Sequence, residues 1–369
     1  MVLREDSRLN ATWTIMARVG MVVSNPCNPD PRVMRGARWL VDAGHHVTIH
    51  AFDREGESDI VIEDGVTIQR HSPRPTPYGG TLRTALGLRS FHRTARREMA
   101  NAGYDVVLCH DVDTAPIARW LKERTSIRVV LDVHDLWHTW IRMPSPRSAV
   151  RRFISARLEG WSIRQMRGFD GVLTSSDGFQ KWLDERGVQA IVIENRTEPH
   201  PLPLPDSLAI GRFGVLREPQ AIELLAHAIR GIEPRPTLHL AGRAVLPDDV
   251  VKFAPGSEYH GPYSDDDVPG LMSRINVMFA MYPPERGNIS DGALPSKMFE
   301  AAAHGRPSIV NSGTHMAEVC ERLGIGVSAK WGDVDDVRRA IMDAMSMGIV
   351  TPPDPEENRI RFLSGMFGD

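Results

Sequence analysis

Short, almost uninterrupted apolar runs recur along this chain, and each gives way to a stretch whose apolar residues repeat with a helical period. V-V-L-C-H at 106–110 and R-V-V-L-D-V at 128–133 are two such runs, with A-P-I-A-R-W-L-K-E at 115–123 between them. A strand without polar alternation is covered on both faces, and strands separated by helices pair in parallel. The spacing predicts strands over 19–24, 47–52, 66–70, 105–110, 128–133, 171–174 and 191–194. Helices are expected over 32–43, 115–123, 150–165 and 178–186. The second half repeats the rhythm, with strands over 210–215, 237–241, 258–261, 276–281, 308–311 and 326–329. Its helices are expected over 219–229, 266–273, 295–304, 314–322 and 334–345. Two series of this kind imply an α/β protein of two doubly wound, Rossmann-like domains, with ligands at the carboxyl ends of the strands.

R-T-E-P-H-P-L-P-L-P-D, 196–206, separates the series, and its prolines favour an extended tether. The expected domains are 1–200 and 201–346, followed by a tail over 347–369 that either packs back on the first domain or frays. A length of 369 residues suits two domains. The cleft between them is the default place for a small molecule.

Composition narrows the class. The chain is 41% hydrophobic and 25% charged, as soluble globular proteins are. Cys27, Cys109 and Cys320 are far apart and form no C-x-x-C pair, which argues against a disulfide framework or structural zinc. The first residues carry no apolar signal core, and no apolar run reaches the roughly 18 residues of a membrane span. A cytoplasmic protein is expected, or one peripheral at the inner membrane surface. Residues 1–200 hold 28 of the 44 Lys/Arg and 24 of the 47 Asp/Glu, so the first half is basic and the second acidic. Residues 83–97 contain five arginines and no acid, and residues 142–167 contain seven arginines against Glu159. Read plainly, these are solvated helix faces. Read functionally, with Leu86, Leu88 and Phe91 among the arginines, they form a surface for anionic membrane or an anionic acceptor. Neither resembles a nucleic-acid module.

One stretch carries a sharper signal: D-G-A-L-P-S-K-M-F-E-A-A-A-H-G-R-P-S-I-V, 291–310. Pro295 suits the first position of a helix, Gly305 its end, and Pro307 blocks continuation before a strand. Lys297 therefore falls in the first turn, where the helix already presents partial positive charge and unpaired N–H groups. That arrangement awaits an anion. A lysine that merely snorkels to solvent is the structural alternative.

This segment, A-L-P-S-K-M-F-E-A-A-A-H-G-R-P-S-I over 293–309, resembles that of retaining glycosyltransferases of the GT-B fold, in the glycosyltransferase family 4-like group. The resemblance takes in 32–47, V-L-D-V-H-D-L-W at 130–137, V-I-E-N at 192–195 and F-G-V-L-R at 213–217, and so nearly the whole chain. It implies two Rossmann-like domains facing a cleft, and sugar transfer from a nucleoside-diphosphate sugar to a glycan, lipid or small-molecule acceptor. Retention and independence of metal and other cofactors are also implied. Lys297 and Arg217 would face the diphosphate and Glu300 the ribose. His134, at a strand end, would meet the donor sugar or its diphosphate, and Asp135 beside it would orient that imidazole or an acceptor hydroxyl. Gly214, Arg243, Asp291, Gly292, Ala293 and Leu294 complete the expected donor side, and Arg32, His110 and Asp111 the acceptor side.

Two departures stand out. Many relatives have a glutamate for the donor sugar where this chain has Gly292. The sugar contact would then pass to Asp291, to the N–H groups of Gly292 and Ala293, or to Asn288, with Glu285 in the preceding loop. Gln220 stands where a phosphate-binding cation is common, leaving Arg217 as substitute. Three rival readings follow. A sugar-nucleotide epimerase shares the architecture, and a degenerate binding or scaffold protein would suit Gly292 and Gln220. A metal hydrolase would use His110, Asp111, His134, Asp135 and His138 as ligands.

Overall fold

The computed structural model describes residues 16–28, 30–56, 58–77, 82–142, 147–243 and 254–368. They fall into two compact units. One comprises the chain up to Val133, Arg164–Val172 and the segment from Phe362 on; the other comprises His134–Ile163 and Leu173–Arg361.

Among the described residues the strands of the first series are β1 (Arg18–Val23), β2 (His46–Phe52), β3 (Asp59–Glu63), β4 (Val66–His71), β5 (Val106–His110), β6 (Arg128–Val133), β7 (Gly171–Thr174) and β8 (Ile191–Val192). They form a sheet in the order β3-β4-β2-β1-β5-β6-β7-β8. β1 pairs in parallel with β2 and β5, and β5 with β6. Every residue of β5 is buried, which is why its sequence lacks polar alternation. The sequence reading missed β3. It is an exposed edge strand, antiparallel to β4, and the Asp64-Gly65 turn that joins them has both residues at positive φ, 49° and 76°. That is the geometry Asp-Gly supplies in a two-residue hairpin.

The second series gives β9 (Ala209–Phe213), β10 (Thr237–Ala241), β11 (Glu258–Tyr259), β12 (Val277–Phe279), β13 (Ser308–Asn311) and β14 (Gly326–Ala329), in the order β11-β10-β9-β12-β13-β14. All the pairings described in this sheet are parallel. Alternate side chains enter opposite cores. Val277 and Phe279 of β12 pack with helices Pro219–Ile229 and Val334–Met347, whereas Met278 packs with helices Ser296–Ala303 and His315–Arg322. Arg306, fully buried, donates to the carbonyls of Met272, Leu202 and Pro203 and so fastens the proline-rich segment to this unit.

The tail contains helix Glu356–Phe367. Within the first unit, Phe362 packs on Trp39, Phe367 lies against His45, and Arg128 donates to the carbonyl of Met366. The three cysteines are free and buried. Among the described residues no helix is long and apolar enough to cross a membrane.

Candidate donor site in the second unit

Helix Ser296–Ala303 begins one residue later than expected. Pro295 has the φ of a helix, −63°, but its ψ is 131°, so it caps the helix instead of opening it. Met298, Phe299, Ala301 and Ala302 enter the core, and the alanines let the helix lie close to the sheet. Lys297 stands on the remaining face. Its Nζ is 2.7 Å from Glu300 Oε2 and 5.3 Å from the centroid of the Tyr263 ring. Burial alone would lower the Lys297 pKa, but Glu300 and Tyr263 together outweigh it and hold the ammonium above its ordinary value. Lysine and glutamate are about four-fifths covered, at 21% and 18% side-chain exposure. Lys297 therefore does not snorkel to solvent.

Two strand ends meet beside it. A Cβ at Gly214, just after β9, would touch Lys297 Cε at 3.6 Å. Gly242, just after β10, has φ 127°, and a Cβ there would lie 1.7 Å from the Gly214 carbonyl oxygen. Only glycine permits this approach of two backbones.

The N-terminal end of the helix opens into a pocket of about 180 Å³, contained in the second unit. His134 and Asp135 reach it from the end of β6, and Ser175 from the end of β7. Tyr282, Arg286 and Asn288 come from the segment after β12, and Ala293 to Lys297 close the wall. Sites that hold a whole drug-sized ligand span about 300–1,000 Å³, so this pocket is smaller than such a site. Glu218 accepts from both Arg212, at 3.1 Å, and Arg286, at 3.3 Å, which places the Arg286 guanidinium. Asp135 accepts from the indole of Trp140 at 2.7 Å. Asn288 is 6% exposed; its amide nitrogen points at Asp135, 3.5 Å away, while its buried oxygen has no hydrogen-bond partner. A buried amide oxygen in that state favours a ligand hydroxyl.

Several expected residues lie elsewhere. Arg217 is exposed and stacked over Trp140 at 5.4 Å, one residue removed from Asp135; Arg286 occupies the wall instead. The N–H groups of Gly292 and Ala293 already bond to the carbonyls of Ile289 and Asn288, so neither is left to bind a sugar. Asp291 faces Arg142 at 3.6 Å, and Arg243 is exposed. Glu285 does not line the pocket. Gly292 itself has φ 99°, and a Cβ there would lie 2.5 Å from the Cα of Gly178. Ser176 donates to its carbonyl at 2.7 Å.

In the first unit Arg32 grips Asp132 with two hydrogen bonds of 2.7 and 2.8 Å, and His110 lies 3.4 Å from the same carboxylate. Asp111 donates its N–H to the Asp132 carbonyl. The acceptor-side candidates thus converge on Asp132, which the sequence reading passed over, and the Arg32 fork is committed there. His138, another residue of the metal-hydrolase reading, is buried and stacked on Trp182. The reading also missed Arg286, Tyr282 and Ser175. Arg286 stood in plain view in P-P-E-R-G-N after a strand, where a cation at a carboxyl end is a usable signal.

Residues 29–195 match the model of the glycosyl transferase 4-like domain. The chain is 25% identical over 356 residues to the succinoglycan biosynthesis protein ExoL of Rhizobium meliloti, covering 88% of this chain and 82% of ExoL. It is similar in structure to sucrose-phosphate synthase from Thermosynechococcus elongatus, with a TM-score of 0.72 at 15% identity over 95% of each chain. It is also similar to Anabaena HepE in complex with UDP-glucose, with a TM-score of 0.62 at 13% identity over 95% of each chain.

Proposed function

We propose that this chain, a glycosyltransferase of the GT-B fold with a glycosyl transferase 4-like first half, moves a sugar from a nucleoside-diphosphate donor held at the 296–303 helix. The observation that carries the reading is Lys297: a covered ammonium on the first turn of a helix that opens into a polar pocket. HepE, solved with UDP-glucose, supports a nucleotide sugar as the donor class. The acceptor is a glycan, a lipid or a small molecule, and ExoL supports polysaccharide assembly.

In the proposed reaction the bond from the anomeric carbon to the diphosphate oxygen breaks, and its electron pair leaves with the diphosphate. The acceptor hydroxyl oxygen bonds to the anomeric carbon, and its proton passes to a diphosphate oxygen. Configuration is retained. Lys297, Arg286 and the helix N-terminus meet the growing negative charge, so no metal ion is required. Glu300, released from Lys297, accepts from the ribose hydroxyls. His134 and Asp135 face the sugar, with Asp135 held by Trp140.

Labelled UDP-, GDP- and dTDP-sugars tested with candidate acceptors in the presence of EDTA should give a labelled, acceptor-linked product. Labelled donor that isomerises without acceptor, or binds without turnover, would reject the transferase reading. Asn288→Ala should raise the donor KM by about tenfold, the worth of one or two hydrogen bonds, with a smaller effect on nucleoside-diphosphate inhibition. An equal loss in both would place Asn288 away from the sugar.

A further inference from the structure

The five arginines of 83–97 are not used by the donor site. Four of them fall on one stripe of helix Leu82–Asn101, at the i, i+4, i+7 and i+8 positions 89, 93, 96 and 97. All four line an open groove of about 840 Å³ in the first unit, with His92 on the same side and Trp120 of helix Ala115–Lys122 opposite.

Some exposed arginines elsewhere lie beside carboxylates three or four residues away, as in Arg339 with Asp336 and Asp343, and Arg361 with Glu357. None of Arg89, Arg93, Arg96 and Arg97 forms an ion pair in the described structure. Arg96 donates from Nη2 to the Pro116 carbonyl at 2.8 Å, while its buried Nε has no hydrogen-bond partner. The Nε2 of His92 is also buried without a partner. Arg96 and Arg124 both stand over the Trp120 ring, at 6.0 and 4.4 Å, adding a fifth guanidinium to the neighbourhood. A helix face kept only for solubility would mix its signs, because like charges at i and i+4 oppose each other. A guanidinium is a planar fork that matches phosphate oxygens two at a time.

We propose that this groove binds a phosphate or diphosphate group, with Arg93, Arg96 and Arg97 as its forks and Trp120 as its wall. The group comes either from a free phosphate compound or from the head of a diphosphate lipid, whose chain would run along Leu88 and the exposed Leu86. This site is separate from the Lys297 pocket, and its test does not depend on that reading.

The test uses the full chain carrying Lys297→Ala, so that pyrophosphate at the donor pocket is weakened. Calorimetric titration with inorganic pyrophosphate should show binding, and adding Arg93→Gln with Arg97→Gln should weaken it at least about tenfold, given the worth of charged hydrogen bonds. Both arginines are exposed, so folding should persist; a thermal melt checks this, and Arg89→Gln with Arg93→Gln serves as a second pair. Farnesyl diphosphate binding at least about tenfold tighter than pyrophosphate identifies the lipid source, through apolar burial. Equal affinities identify the free group. Unchanged affinity in both arginine pairs overturns the proposal, as does the absence of binding. Binding to phosphatidylglycerol vesicles that pyrophosphate fails to displace also overturns it and marks a general membrane-facing surface.

Discussion

Lys297→Ala should lower turnover by about 10²-fold or more, the cost of removing one charged group aimed at a developing anion. The cause is specific. In the free protein the ammonium is neutralised by Glu300 at 2.7 Å, so the pair acts as a closed clasp. On the proposed function a donor would open it, with the diphosphate taking the lysine and the ribose taking the glutamate. Removing the lysine also leaves a carboxylate that is about four-fifths covered unpaired, which would destabilise the protein by about 1–3 kcal/mol. The two effects can be separated. Lys297→Ala combined with Glu300→Gln removes the stranded charge and restores stability, yet activity should remain low. Recovery of turnover in the double variant would mean that Lys297 serves only to balance Glu300.

Gly292→Glu gives the second large effect, and its direction runs against the family pattern. Placing a glutamate where many relatives carry one should abolish activity and remove at least about 3 kcal/mol of stability. The backbone at Gly292 is left-handed, and the added Cβ would lie within 2.5 Å of Gly178 Cα. Ser176, which caps helix Asp177–Asp184 by accepting from the Phe179 N–H, also donates to the Gly292 carbonyl, so displacing Gly292 disturbs that helix as well. Denaturant unfolding and the transfer assay together check this. A stable and more active Gly292→Glu protein would show that the turn can relax and that the glutamate was simply lost.

These contacts explain what could and could not be read from the sequence. Strand–helix alternation follows from the pleat and from burial on both faces, so both sheets were legible from periodicity. β3 was missed because its exposed D-I-V-I-E run breaks that rule, although the Asp-Gly hairpin signal beside it was present. The place of Lys297 in the first turn of its helix was readable because helix start signals are local. Arg217 and Arg286 were not told apart, because their roles depend on Glu218 and Trp140, which lie 68 and 77 positions from the arginines they contact. Asp132 was invisible for the same reason, since only folding brings Arg32 to it across 100 positions. The steric closure at Gly292 arises from Gly178, more than a hundred residues earlier, and no local pattern announces it.

The most direct measurement is a crystal structure of the protein with a nucleoside-diphosphate sugar selected by thermal shift. A diphosphate oxygen should lie within about 3 Å of Lys297 Nζ, with Glu300 turned away toward the ribose. A ligand bound elsewhere, with the lysine still joined to Glu300, would contradict the account.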